Sequence, residues 1–247
     1  MIDEGLRLVD AAARKGVLVR LLGGVAVYLQ SPSGGPLLPR SINDIDLVTK
    51  RGARTAVTAV LLASGYSPDQ MFNALHGSRR LLFYDDARGR KLDVFLGEFS
   101  MCHQVPIADR LDREALTIPL AELLTTKLQV VELTERDQRD IYNLVFHNEV
   151  TDGSARGIEA DYVAELCARD WGLWRTAKET IARCKKNLPD YGLEPAAADL
   201  IVERLDLLWA RIEAKPKTGK WRLRSRVGDR VRWYDEPEEH AGGTQET

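Results

Sequence analysis

Little in this chain of 247 residues suits an oxidising compartment, a thiolate site or a membrane. The three cysteines, Cys102, Cys167 and Cys184, form no CxxC pair, and their odd number argues against a disulfide framework. His76, His103, His147 and His240 show no ligand spacing, so no histidine metal site is expected. The longest apolar stretches, such as Val17–Val27 with Arg20 inside it, fall far short of the ~20 residues a membrane span needs. Met1-Ile2-Asp3-Glu4 is acidic where a secretory signal would be basic. A net charge of −2 gives no global reason to expect nucleic-acid binding. These absences predict a cytoplasmic protein with reduced thiols. The remaining composition, 44% hydrophobic and 29% charged, is ordinary for one large or two small globular domains.

What the chain does have is organised in two halves. Apolar positions in Gly5–Lys15 recur at helical spacing, and Gly16 ends that helix. Val17–Leu22 reads as a short buried strand, and Gly23-Gly24 opens a helix through Gln30. Ser31–Pro39 is a loop leading to a strand over Ile42–Val48. A helix over Thr55–Ser64 stops at Gly65. Leu81–Tyr84 and Leu92–Leu96 are strands joined by a loop with the length and glycine of a hairpin. The expected class is therefore α+β, with a small mixed sheet and flanking helices over residues 1–115. From Leu116 the pattern turns helical, with stretches over Ile118–Leu133, Asp137–His147, Ala160–Asn187 and Ala196–Ala214, forming a second domain over 116–214. Residues 215–235 read as a basic β-hairpin, and 236–247 as a disordered tail.

Three aspartates carry the chemistry. In Asn43-Asp44-Ile45-Asp46-Leu47-Val48, residues two apart on a strand share a face, so Asp44 and Asp46 project together. Adjacent carboxylates repel unless a cation lies between them, and an oxygen-only donor set suits Mg²⁺ carried with substrate phosphates. Asp93 sits among Leu92, Val94 and Phe95, where an unpaired carboxylate is costly. If its strand lies beside Ile42–Val48, Asp93 completes a cluster able to hold two metals in an in-line displacement. The competing reading makes Asp93 a salt-bridge partner of a basic residue such as Lys91. The Gly23-Gly24 turn between strand and helix lets backbone amides approach an anion, although such a pair is commonly just a tight turn.

The runs Leu22-Gly23-Gly24-Val25-Ala26, Arg40-Ser41-Ile42-Asn43-Asp44-Ile45-Asp46-Leu47 and Leu92-Asp93-Val94 together resemble the DNA polymerase β-type nucleotidyltransferase superfamily. Leu120-Ala121-Glu122-Leu123-Leu124-Thr125-Thr126-Lys127-Leu128, followed by Arg136-Asp137-Gln138-Arg139-Asp140-Ile141-Tyr142-Asn143-Leu144, is similar to the AbiEii/AbiGii-like nucleotidyltransferase toxins of toxin–antitoxin systems. The similarity covers roughly residues 17–147. It implies that Asp44 and Asp46 bind Mg²⁺, with Mn²⁺ an alternative. Asp93 would complete the metal site or accept the nucleophile's proton. It also implies that Gly23, Gly24, Arg40 and Lys127 serve the nucleoside triphosphate, and that Asp140 positions Lys127 or the acceptor. Two positions depart from the pattern: Asn143 stands where many relatives have aspartate, and Ile42 where threonine is frequent. Without the resemblance, Lys127 in its apolar helix is either a rim residue snorkelling to water or an aimed cation, and Arg136, Arg139 and Asp140 could equally be a solvated face.

Lys215–Trp233 holds Lys215, Lys217, Lys220, Arg222, Arg224, Arg226, Arg230 and Arg232 against one acid, Asp229. The alternation of Trp221, Leu223 and Val227 with Arg222, Arg224 and Arg226, and the Gly228-Asp229 pair, predict a hairpin with one cationic face. Such a ribbon could follow a phosphate backbone with Trp221 or Trp233 stacked on a base, or could dock on acidic parts of the protein itself. Arg79 and Arg80 precede a strand and could reach phosphate. Trp171, Trp174 and Trp209 sit at helical spacing and read as core rather than a base platform. The expected activity is transfer of a nucleoside monophosphate from an NTP to an acceptor. The toxin resemblance implies an RNA acceptor such as a tRNA 3′ end, blocked translation and a cognate antitoxin. The rivals are a small-molecule acceptor such as an aminoglycoside hydroxyl, a protein side chain, or a non-enzymatic nucleotide- or RNA-binding module.

Overall fold

The structure, a computed structural model, describes residues 1–32, 34–153 and 157–236. The order in the first half is α1 (Ile2–Arg14), β1 (Val19–Leu22), α2 (Gly23–Leu29), β2 (Asp44–Thr49), α3 (Arg54–Ala63), β3 (Ser67–Pro68), α4 (Gln70–His76), β4 (Arg80–Asp85) and β5 (Arg90–Leu96). The sheet runs β1-β2-β5-β4-β3, with β2 and β5 parallel and every other pair antiparallel. That mixed sheet and its helices make the α+β class expected. β2 and β5 lie side by side because β4 and β5 form the expected hairpin and β5 then returns beside β2. Ile45, Leu47, Leu92 and Val94 are fully buried between the sheet and its helices. The same alternation leaves Asp44, Asp46 and Asp93 together on the opposite face.

A small hairpin, β6 (Glu98–Ser100) with β7 (Gln104–Pro106), leads out of the sheet. The helical half comprises α5 (Leu120–Leu128), α6 (Glu135–His147), α7 (Ala160–Arg169), α8 (Trp171–Asn187) and α9 (Pro195–Ala214), with two short strands, β8 (Val150–Thr151) and β9 (Ile158–Glu159), before α7. It is stitched to the sheet edge through Leu21, whose N–H donates to Leu116 O at 2.8 Å and whose carbonyl accepts from Ile118 N at 2.9 Å. The core runs without a break from β1 and β5 through α5 and α6 to Ile201, Leu205, Leu208 and Ile212 of α9.

Three expectations need correction. The helix expected to reach Leu133 stops at Leu128, because tertiary partners take the following backbone and side-chain groups. Gln129 Oε1 accepts from His103 N, and the carbonyls of Val130 and Val131 accept from Thr180 and Arg183 of α8. The stretch Ala160–Asn187 is two helices, because extended Asp170 caps α8 with bonds from Gly172 N and Leu173 N.

The largest change concerns Lys215–Trp233. It forms no hairpin but a helix, α10 (Gly219–Val227), capped by Thr218 and closed by a short 3₁₀ turn at Gly228–Arg230. Trp221, Arg224 and Gly228 share a face at helical spacing, whereas Trp221, Leu223 and Val227 share one at strand spacing, and packing against α8 selects the helix. The expected disordered tail over 236–247 lies, beyond Glu236, outside the described residues.

The tryptophans form one connected group of rings. Trp174 meets Trp171, Trp209 and Trp221 at 6.4, 6.0 and 5.2 Å between centroids, and Trp171 meets Trp233 at 6.2 Å. The reading of Trp171, Trp174 and Trp209 as packing residues holds.

Candidate active site

Asp46 and Asp93 are direct partners across the parallel β2–β5 pair, and Asp44 stands two residues before Asp46 on the same face. One carboxylate oxygen from each of Asp44, Asp46 and Asp93 lies within 4.8 Å of the other two. Asp44 and Asp46 are half-buried, whereas Asp93 is 1% exposed. Burial pushes the Asp46 carboxyl up to about 8, helped by Asp44 and then Asp93, with Lys127 and Arg80 pulling the other way. A divalent cation would remove that penalty, and three hard oxygen donors fit Mg²⁺. The cluster can thus hold a metal ion.

Asp93 is also salt-bridged. Arg80 Nε donates to its Oδ1 at 2.8 Å, and Lys91 Nζ stands 3.4 Å from Oδ2. The guanidinium of Arg80 lies 5.6 Å from the Phe72 ring centre and 5.2 Å from that of Phe95. The competing reading of Asp93 as a partner of Lys91 therefore holds alongside the cluster. Lys91 and Asp93 alternate on one strand face, and Arg80 comes onto the same face from β4. Arg80 is spent on a carboxylate here rather than standing ready for a phosphate.

On the other side of the carboxylates, β1 gives way to α2 at Gly23, which adopts φ +64°. A methyl group there would run into Asp46 Oδ2, and one on Gly24 would strike the guanidinium of Arg40. The glycine pair is thus what lets a carboxylate and an arginine close in on the start of α2. Arg40 donates from Nε and Nη2 to the two oxygens of Asp140 at 2.7 and 2.6 Å. Lys127 Nζ stands 2.8 Å from Asp140 Oδ2 and 3.4 Å from Asp137 Oδ1. Burial alone would raise the Asp140 carboxyl, but Lys127 and Arg40 outweigh it and hold the group below the usual carboxylate range. Burial likewise opposes the charge on Lys127, yet Asp140 and Asp137 keep its affinity for protons above normal. Both cations stay charged, and Asp140 fixes them side by side.

Asn143, one turn on from Asp140, clips the loop that carries Arg40. Its side-chain oxygen accepts from Leu38 N at 2.8 Å and its side-chain nitrogen donates to Leu38 O at 2.9 Å. His147 Nε2 accepts from Leu37 N at 3.2 Å, one further turn along α6. An asparagine suits this position, since an amide can both accept and donate here. Ile42 is partly buried against the core.

The basic segment is not assembled as expected. Trp221 packs edge-on against Trp174, and Trp233 against Trp171 with its Nε1 donating to Thr176 at 3.1 Å, so both rings are engaged within the protein. Arg224 turns inward over Trp171 and donates to the carbonyls of Gly228 and Val231. Arg232 pairs with Glu236 at 2.7 Å. Arg222, Arg226 and Arg230 remain exposed.

Sequence reasoning missed the role of Arg80. The hairpin loop length fixes the register that pairs Leu82 with Asp93, which puts Arg80 on the aspartate face. The signal was therefore in the chain. Among the described residues, no helix is long and apolar enough to cross a membrane. Comparison with known families and curated proteins adds no relative: no family model and no curated protein matches this chain.

Proposed function

We propose that this chain is a Mg²⁺-dependent nucleotidyltransferase of the DNA polymerase β type that moves a nucleoside monophosphate from an NTP to an acceptor. The observation that carries this reading is the convergence of Asp44, Asp46 and Asp93 within 4.8 Å beside the Arg40–Asp140–Lys127 group. Bound Mg²⁺ would neutralise phosphate charge and support in-line displacement, and Mn²⁺ would suit the same donors. Asp44 and Asp46 hold the metal. Both oxygens of Asp93 already face cations, which suits a metal ligand better than a proton acceptor. Lys127 and Arg40 meet the triphosphate, and Asp140 keeps the two aligned. In the reaction, the acceptor hydroxyl loses its proton to water, its oxygen bonds to the α-phosphorus, the bond from that phosphorus to the α–β bridging oxygen breaks, and pyrophosphate leaves. The chain's own contribution is positioning and charge.

For the acceptor we propose RNA, such as a tRNA 3′ end, in line with the resemblance to the AbiEii-like toxins and with blocked translation as the outcome. A neighbouring antitoxin belongs to the same proposal. Lys91 on β5 already stands 3.4 Å from Asp93 and Lys127 on α5 is paired with Asp140, so an acceptor phosphate would share these cations with the carboxylates. The second reading is a small-molecule hydroxyl or a protein side chain. It is favoured by the loss of the cationic hairpin, whose aromatic rings are used internally. A purely binding role is disfavoured by the intact three-aspartate set. The test is to incubate the protein with each α-labelled NTP and total RNA, and to locate the label. Asp46→Ala and Asp44→Asn should abolish transfer with the fold intact; undiminished transfer in either would refute the metal assignment.

A further inference from the structure

Helix α10 presents an outward face that neither the fold nor the proposed chemistry uses. Leu223 and Val227, one turn apart, are 65% and 40% exposed, and Val231, tied back to the helix through Arg224, is 58% exposed. Lys220 and Arg226 flank the Leu223–Val227 stripe, and Arg222 and Arg230 add charge beside it; all four are exposed. Two acids of this region are committed elsewhere, Asp229 to Arg175 and Glu236 to Arg232. Among the described residues, no carboxylate pairs with Lys220, Arg222, Arg226 or Arg230. The helix is anchored from behind, because Trp221 packs on Trp174 and the N–H of Thr218 donates to Ala168 O. The result is a fixed apolar ridge in a cationic setting.

We propose that this face of α10 docks an acidic amphipathic segment of a partner protein. The aliphatic ridge would meet the partner's apolar stripe, and the unpaired cations would meet carboxylates on either side. Nucleic acid fits the charges but not the ridge, and the two rings that would stack on bases face inward. An anionic bilayer fits less well, because the tryptophans that anchor a helix at a membrane interface are the ones buried in the ring cluster. The proposal is independent of the activity at the aspartates.

The test uses the whole chain and a fluorescent, acidic, amphipathic peptide of about 18 residues, long enough to form a helix. The comparison probes are a scrambled peptide of the same composition, a single-stranded RNA of equal charge and anionic phospholipid vesicles. Expected are at least about tenfold weaker binding of the scrambled peptide, and a similar loss for the intact peptide in Leu223→Ser/Val227→Ser and in Lys220→Glu/Arg226→Glu. Because these side chains are exposed, thermal melting of both variants should match the parent. RNA or vesicles binding more tightly than the amphipathic peptide would overturn the proposal in favour of those partners. Absence of peptide binding, or binding unaffected by the Leu223→Ser/Val227→Ser change, would overturn it outright.

Discussion

Gly23 and Asp46 are packed so closely that the α-carbon of one leaves no space for a side chain beside the carboxylate of the other. The contact joins a positive-φ turn at the end of β1 to the central carboxylate of the cluster on β2, so backbone geometry and the geometry of the candidate metal site are set together. Gly23→Ala should therefore displace Asp46 and strain the turn. The expected cost is about 1–3 kcal/mol of stability in denaturant unfolding, together with loss of nucleotidyl transfer. Transfer at the parent rate would contradict the tightness of this contact.

Asp46 gives the protein a pH dependence with a definite sign. Its folded-state proton affinity, raised to about 8, exceeds that of an unfolded aspartate near 3.8. Between those values the folded chain holds more protons, so the metal-free protein should lose stability as pH rises through that window. Mg²⁺ bound at the cluster would take over the role of the proton. Its stabilising shift in melting temperature should be larger at about pH 8 than at about pH 6, and Asp46→Asn should flatten both trends. A magnesium effect independent of pH would count against the cluster as the binding site.

Asp140 lies between two cations, and removing them one at a time should differ from removing both. With Lys127→Met, Arg40 still satisfies the carboxylate; with Arg40→Met, Lys127 still does. The double variant leaves a buried unpaired charge, which costs about 3–5 kcal/mol. A double-mutant cycle should show a coupling of about 0.5–3 kcal/mol, while each single variant folds and loses transfer. Simple additivity would mean that the three groups do not act as a unit.

Asn143→Asp tests the loop clip. A carboxylate can accept from Leu38 N but would face the Leu38 carbonyl without a donor, at a cost of about 1–3 kcal/mol. Because Leu38 lies two residues before Arg40, NTP affinity should weaken as well. Equilibrium unfolding and nucleotide titration would measure the two effects, and unchanged affinity would detach the clip from the site.

Much of this arrangement could be read before any coordinates. Alternation put Asp44 and Asp46 on one face, and the apolar flanks of Asp93 marked it as an unusual buried charge. The hairpin between β4 and β5 followed from its loop. What escaped reading depends on contacts distant in sequence. Asn143 finds Leu38 across the fold, and Gln129 ends α5 by reaching His103. In Trp221–Val227 the same residues satisfy a two-residue and a helical repeat, and only the ring of Trp174 on another helix chooses between them. Local patterns fixed the strands that carry the aspartates, whereas α10 was decided by its neighbours.

The gathering of all five tryptophans into one group has a practical consequence for solution work. Intrinsic fluorescence excited through indole will report on the seating of α10, α9 and the C-terminal segment against α8. The carboxylate site contains no indole, so quenching on nucleotide addition would signal motion relayed into the helical half rather than contact with the ligand.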